Sequence, residues 1–87
     1  MATYSSIIEI EFASRDHVLT ERVLVGGKVI ETDAAEREWD YAEHGLDPAL
    51  AVKSVTQRGN ELTKVGYRLL KQMEIGIGHH LWRFGAR

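Results

Sequence analysis

Two adjacent histidines near the end of the chain are the first residues whose types suggest chemistry. His79 and His80 stand in the segment GIGHHLWRFGAR. Neutral imidazole is a good zinc ligand, and an ordinary histidine pKa of about 6.5 suits proton transfer. On a strand, however, adjacent side chains point to opposite faces, and no spacing such as H-x-x-x-H supplies a further ligand. A small enzyme or metal-binding protein that uses these histidines is therefore kept only as an alternative.

Other catalytic and cofactor patterns are missing from the chain. It has no cysteine, and none of its serines stands in a G-x-S-x-G context. GIGHHL has a leucine where the third glycine of G-x-G-x-x-G belongs, and VGGK lacks the P-loop frame. We therefore assign no catalytic residue, no metal and no cofactor, and we expect a protein that is not an enzyme.

Basic residues in the second half of the chain suggest binding to nucleic acid as another alternative. If residues 47–58 and 60–75 are both helices, QRGN forms a short turn between them, which is the outline of a helix-turn-helix. Against this reading, the isoelectric point is about 6.1, whereas a dedicated nucleic-acid binder is usually strongly basic. The side chains that would contact nucleic acid are Arg58, Asn60, Lys64, Arg68 and Lys71.

Composition indicates one small domain. The 87 residues are 44% hydrophobic and 28% charged, which is ordinary for a globular chain. Residues 1–45 hold four basic and ten acidic groups, a net charge of −6, and residues 46–87 hold seven basic and three acidic groups, a net charge of +4. There is no long apolar run and no basic leader before Glu9, so we expect no membrane segment and a cytoplasmic location.

Hydrophobic periodicity predicts about four strands. In residues 4–13, Ile8, Ile10 and Phe12 alternate with Glu9 and Glu11, which is typical of a half-buried strand. Residues 17–25 and 28–32 flank Gly26-Gly27, which suits a tight hairpin turn and sets Arg22 opposite Glu31. A last strand, residues 77–84, is expected at a sheet edge, with Trp82 and Phe84 facing the core or a partner and Leu81 and Arg83 facing the other side.

Helix signals lie between the predicted strands. Asp33 and Glu36 have capping-box spacing before a helix that ends at Gly45, and Asp47-Pro48 begins a second helix that ends at Gly59. Residues 60–75 have an apolar stripe at helical spacing, and the rival interpretation for residues 50–75 is a strand pair around RGNE. The sequence therefore predicts a single α+β domain over residues 1–87, an antiparallel sheet with two to three helices packed on one face.

The function predicted for this fold is a small, non-enzymatic protein-interaction module that self-associates as a homodimer or closed oligomer. A short chain gains much buried area from a second copy, and aromatic and arginine side chains are the types enriched at interface centres. We expect an accessory or inhibitor protein of a phage or mobile element, since such a protein would have this size and would act by binding or blocking another protein. The expected partner-binding residues are Tyr41, Tyr67, Trp82 and Arg83.

Overall fold

The first strand has the alternating pattern that the sequence predicts. The computed structural model describes residues 3–30 and 36–87, with the backbone alone for 25–30 and 36–41. Strand β1 spans Thr3–Ala13, and Ile8, Ile10 and Phe12 are buried on one of its faces. Glu9 and Glu11 lie on the other face, as expected from the period of two.

Five antiparallel strands form one sheet in the order β3-β2-β1-β5-β4. Strand β1 is central and pairs with both β2 and β5, so it is covered at both edges. The edges of the sheet are β3 and β4. The other strands are β2 (Val18–Ile30), β3 (Glu36–His44), β4 (Arg68–Gly76) and β5 (His79–Ala86).

The predicted hairpin at Gly26-Gly27 is wrong. Strand β2 runs through both glycines, and it pairs with β1 as far as Thr3↔Ile30. The chain between β2 and β3 falls on residues 31–35, outside the described residues, and with it the predicted partner of Arg22, Glu31. In the register, Arg22 lies opposite Glu9 on β1 and Asp40 on β3. The register shifts between Ser6↔Val25 and Tyr4↔Val29, so the glycine pair marks an irregularity within one long strand and not a turn between two strands.

The predicted helix over residues 33–45 is also wrong. Residues Glu36–His44 form β3, which pairs with β2 from Val18↔His44 to Val25↔Glu36. Local capping signals favoured a helix, but Trp39 and Tyr41 are residues that favour strands, and pairing with a neighbouring strand outweighs weak helix propensity. The fold is therefore mostly sheet.

One helix, α1, spans Pro48–Lys64. Its predicted start is confirmed: the Asp47 side chain accepts a hydrogen bond of 2.9 Å from the Leu50 amide, and Pro48 is the first helical residue. Its predicted end at Gly59 is wrong, because the helix continues through it. A Cβ at Gly59 would lie 3.3 Å from Phe84 Cζ, so this glycine allows close packing on the sheet rather than ending the helix.

The predicted helix over residues 60–75 is wrong, and so is the helix-turn-helix outline that depended on it. Helix α1 ends at Lys64, Gly66 has a φ of +97°, and the chain then enters β4 at Arg68. The prediction of two to three helices on about four strands is wrong, because residues 3–30 and 36–87 form one helix and five strands. No helix among the described residues is long and apolar enough to cross a membrane.

Helix α1 covers one face of the sheet, here called the helix face; the other is called the open face. On the helix face, α1 buries Ala51, Val55 and Leu62 against strands β1, β2 and β5. On the open face, Tyr4, Ile7 and Leu24 form a smaller buried cluster with Leu70. The sheet residues of the main core are Ile8, Ile10, Phe12, Leu19, Trp82 and Phe84.

Strand β5 confirms the predicted side-chain alternation but not the predicted edge position. Trp82 and Phe84 are in the core of the helix face, whereas Leu81 lies opposite Glu11 and Arg83 opposite Glu9 on the open face. The strand lies between β1 and β4, so it has no free edge. The edge strand on this side of the sheet is β4.

Candidate functional site

His79 and His80 lie on opposite faces of the sheet and share no ligand. His79 Nε2 is 2.5 Å from Glu11 Oε2 on the open face. The His80 ring lies beside Trp82, with ring centroids 6.0 Å apart and the planes tilted by 34°. Among the described residues no three histidine, aspartate or glutamate side chains are grouped so as to hold a metal ion.

The open face carries a connected set of charged side chains across strands β2, β1 and β5. Arg22 Nη1 donates to Glu9 Oε1 at 3.0 Å and to Glu11 Oε1 at 2.8 Å, and Arg83 Nη2 donates to Glu9 Oε2 at 2.7 Å. Burial alone raises the pKa of the Glu11 carboxyl, but hydrogen bonds with His79 and Arg22 outweigh it and hold that pKa below its ordinary value. These charged side chains bind one another, so we assign the set to stabilising the sheet and not to binding a ligand.

His79 also borders a shallow cavity of about 320 Å³ at the end of the sheet. Ser14 and Asp16 line the same cavity, so the residue types of a serine hydrolase occur together. No hydrogen bond joins Ser14 Oγ to His79 within the described residues, and the His79 ring is bonded to Glu11 instead. Ser14 and His79 therefore do not form a nucleophile–base pair at this cavity.

Two grooves flank α1 on the helix face, and the one beside β2 is acidic. It encloses about 200 Å³ and is lined by Glu21, Glu43 and Glu61 around Arg58. Arg58 Nε donates to Glu21 Oε1 at 2.9 Å, and Nη1 donates to Glu61 Oε2 at 3.1 Å. The hydrogen bond to Glu21 raises the pKa of the Arg58 guanidinium above its ordinary value. This groove is filled by its own ion pairs.

The groove between α1 and β4, here called the α1–β4 groove, is more apolar. Its volume is about 300 Å³, and the Trp82 and Phe84 rings form part of its lining. Val52 on α1 is 56% exposed and Leu69 on β4 is 49% exposed. The rest of the lining is Val55, Thr56, Gly59, Asn60, Thr63 and Gln72. Exposed aliphatic side chains beside buried aromatic ones are typical of a surface that a partner covers.

Strand β4 carries further exposed apolar side chains outside the groove, and Met73, opposite Leu81 in the register, lies on the open face. Met73 and Ile75 are 41% and 46% exposed, and Ile77 at the following turn is fully exposed. An edge strand also presents backbone N–H and C=O groups that have no partner in its own sheet. The register of β4 on β5 shifts between Leu69 and Lys71 and again between Glu74 and Gly76. The longest run of β4 that pairs with β5 without a register shift is therefore residues 71–74.

Unpaired positive charge accompanies the apolar residues of β4. Arg68 and Lys71 are exposed, and neither forms an ion pair with a carboxylate of the described residues. In the register Lys71 lies opposite Arg83, whose charge is already paired with Glu9. The cations of β4 without a carboxylate partner among the described residues are therefore Lys71 and Arg68. An anion beside them would form an attractive contact.

The predicted partner-binding residues do not form one surface. Trp82 lines the α1–β4 groove, but it is only 6% exposed, and Arg83 is buried on the opposite face. Tyr67 is half-buried and its hydroxyl donates to Ser6 Oγ at 3.0 Å. Tyr41 is on edge strand β3, and its side chain lies outside the described residues.

The predicted nucleic-acid contacts do not share a helical face either. Asn60 lines the α1–β4 groove, and Lys64 is in the last turn of α1. Arg68 and Lys71 lie on β4, and Arg58 is bonded to Glu21 and Glu61. Lys64, Arg68 and Lys71 therefore follow one another from the end of α1 into β4, and no recognition helix carries them in the described part of the chain.

Sequence reasoning missed the exposed apolar residues of the candidate site. Leu69 and Met73 belong to the apolar stripe at helical spacing in residues 60–75, which predicts a helix, whereas both are exposed on β4. The signal was present in KQMEI, where Lys71, Met73 and Ile75 alternate with Gln72 and Glu74.

Comparisons with known proteins give no relative from which to transfer a function. No protein-family model, no curated protein and no solved structure matches the chain. The candidate site therefore depends on its own geometry, which is an apolar groove beside an open, positively charged strand edge.

Proposed function

We propose that this protein is a small, non-enzymatic protein-interaction module that binds an extended segment of a polypeptide along β4 and in the α1–β4 groove. The observation that supports this proposal most directly is the exposure of Val52 and Leu69 on the two walls of that groove. Addition of a strand to an open sheet edge is a general mode of peptide recognition, in which backbone hydrogen bonds give affinity and side-chain pockets give specificity.

The faces of β4 define the chemistry of the added strand. Leu69 and Gln72 lie opposite Phe84 and Trp82 in the register, so side chains of an added strand on that face would enter the groove. Lys71 lies on the open face, opposite Arg83. A strand that alternates apolar and acidic residues would place its apolar side chains in the groove and its carboxylates beside Lys71 and Arg68.

A nucleic-acid ligand fits this surface less well. Lys64, Arg68 and Lys71 would attract phosphate, but Leu69, Met73 and Ile75 are exposed between and beside them. The described aromatic side chains are buried or half-buried, so none is available for base stacking. A cytoplasmic location and an accessory role in a phage or mobile element stay predictions.

Titration with a synthetic peptide of alternating valine and glutamate tests the proposal. We expect amide chemical shifts in the NMR spectrum to change in β4, and in α1 where it lines the groove. A peptide in which lysine replaces glutamate should bind more weakly. A valine–glutamate peptide with N-methylated backbone amides should not bind, because it cannot donate hydrogen bonds to the edge.

Matched variants test whether peptide binding takes place at β4 and the α1–β4 groove. Leu69→Glu should remove it, and Lys71→Glu should weaken it, whereas Lys53→Glu makes the same charge change at an exposed position of α1 outside the groove lining and should have little effect. If the peptide shifts no β4 amide, or if duplex DNA shifts these amides and the peptide does not, the proposal is wrong.

A further inference from the structure

We infer that the strand accepted by β4 is β3 of a second copy of this chain, so that copies associate head to tail into a continuous sheet. The inference deepens the proposed function and rests on it, since it names the occupant of the same edge. Strands β3 and β4 are the two ends of the strand order, and no described strand pairs with the outer edge of either. Each copy therefore offers one edge of each kind.

The two edges carry opposite net charge. Strand β3 holds four acidic residues and one arginine, a net charge of −3, and β4 holds two basic residues and one acidic residue, a net charge of +1. Pairing β4 with a second β4 would bring together two edges that each have a net charge of +1. Pairing β4 with β3 brings opposite charges together, which both steers the encounter and favours the complex. The charged residues of β3 are Glu36, Arg37, Glu38, Asp40 and Glu43.

The order of residues in β3 matches the strand that the faces of β4 require. Asp40 lies opposite Arg22, a position of the open face, where a neighbouring β4 would present Lys71. Its neighbours Trp39 and Tyr41 lie opposite Val23 and Glu21, which are positions of the helix face. The run Trp-Asp-Tyr thus alternates aromatic, acidic and aromatic positions, with the acidic one on the face of the cations.

Sheet topology sets the symmetry of such an assembly. Because the sheet has five antiparallel strands, its first and last strands, β3 and β4, run in the same direction. Copies that keep α1 on the same face would therefore join by a parallel β4–β3 pair. This contact is heterologous, because it joins two different edges, and so it continues into a ring or a filament. A β4–β4 contact would instead be isologous and would stop at a dimer.

Sedimentation velocity of the full chain, over a range of concentrations, tests the inference. We expect association that grows with concentration beyond a dimer. Lys71→Glu and Asp40→Lys should each raise the dissociation constant about 2- to 30-fold, because each replaces an attractive pair with a repulsive one. Lys53→Glu is the matched control, because it makes the same charge change away from both edges, and should leave association unchanged.

Mixing the two edge variants gives the sharpest result. Each variant alone has edges that repel, but in an equimolar mixture every contact between unlike chains joins opposite charges, so association should return to near the level of the wild type. Circular dichroism checks folding first, and if the Asp40→Lys variant is unfolded, Glu38→Lys on the same strand replaces it in the mixture.

Three outcomes overturn the inference. They are a wild type that stays monomeric at high concentration, an association that stops at a dimer and is insensitive to Asp40→Lys, and a mixture that does not recover. If the valine–glutamate peptide still binds to β4 in any of these cases, the proposed function stands and the occupant is a different protein. If the peptide also fails, the proposed function fails with it.

Discussion

Arg58 on α1 reaches across the helix face and forms a hydrogen bond of 2.9 Å with Glu21 on β2. Glu21 is only 2% exposed, and Arg58 also bonds Glu61 one helical turn further on. A carboxylate at this depth is tolerable only with a cationic partner, because desolvation of an unpaired charge costs several kcal/mol, on the order of 3–5 when a buried pair loses one member. The pair therefore fixes how α1 lies relative to β2.

Replacing Arg58 should show how far the stability of the protein depends on the Arg58–Glu21 ion pair. We expect Arg58→Met to lower the free energy of unfolding by about 1–3 kcal/mol, less than for a fully buried pair, because the guanidinium side chain is 38% exposed. Combining it with Glu21→Gln should recover part of the loss, since no unpaired charge then remains. Urea unfolding measures both, with Lys53→Met as the control on the same helix. If Arg58→Met and Lys53→Met lower the free energy of unfolding equally, the Arg58–Glu21 ion pair does not fix α1 on the sheet.

Stability should fall in acid through Glu11. Its pKa in the folded protein lies below the ordinary value, since hydrogen bonds with His79 and Arg22 outweigh the opposing effect of burial. The folded state thus binds the proton more weakly than the unfolded state, and the contribution of Glu11 is complete above the unfolded pKa and is lost as pH falls through the folded pKa. Urea unfolding between about pH 6 and pH 3 should show this loss.

Glu11→Gln is the variant that tests this pH dependence. It should be less stable than the wild type near neutral pH and should lose less stability on acidification. Glu74→Gln removes an exposed carboxylate that has no ion pair among the described residues, and it should leave the acid limb unchanged. If both variants retain the full slope of the wild type, other groups govern acid unfolding.

Prediction from the sequence is most accurate where the local hydrophobic pattern agrees with the strand pairing of the folded protein. In β1, Ile8, Ile10 and Phe12 alternate with Glu9 and Glu11, and each set occupies the face that period two requires. The start of α1 was also predictable, because the capping bond from Leu50 to Asp47 is a local interaction within one helical turn. These features depend on neighbours in the chain, which sequence reasoning can see.

Prediction from the sequence is wrong where pairing between segments far apart in the chain determines the secondary structure. The acidic segment of β3 has helix signals, but it forms a strand because β2 lies beside it. Leu69 and Met73 recur at helical spacing, yet β5 holds them in a strand and leaves both exposed. The alternation in KQMEI indicates a strand, but its position at the edge of the sheet and beside α1 could not be predicted, because that position exists only once the strand order is known.

Gly85 should not tolerate even one added methyl group. A Cβ there would lie 2.7 Å from Leu70 Cδ1 and 2.8 Å from Tyr4 Cδ1, inside the buried cluster of the open face. We expect Gly85→Ala to destabilise the protein by about 1–3 kcal/mol through overpacking. Gly76→Ala is the matched strand control, since its Cβ would meet only His79 Cβ at an ordinary 3.5 Å. Thermal unfolding compares the two, and equal midpoints would show that the cluster has room.

Trp82 and Leu69 both line the α1–β4 groove, but they should respond very differently to truncation. Trp82 is 6% exposed and packs in the main core, so Trp82→Ala should cost about 3–5 kcal/mol and largely prevent folding. Leu69 is 49% exposed, and Leu69→Ala should cost less than about 1 kcal/mol, since roughly half of its surface is already in water. If the groove binds a partner strand, Leu69→Ala should nevertheless weaken that binding measurably. Urea unfolding and the peptide titration separate the two effects. A folded, stable Trp82→Ala variant would show that the main core does not depend on this ring.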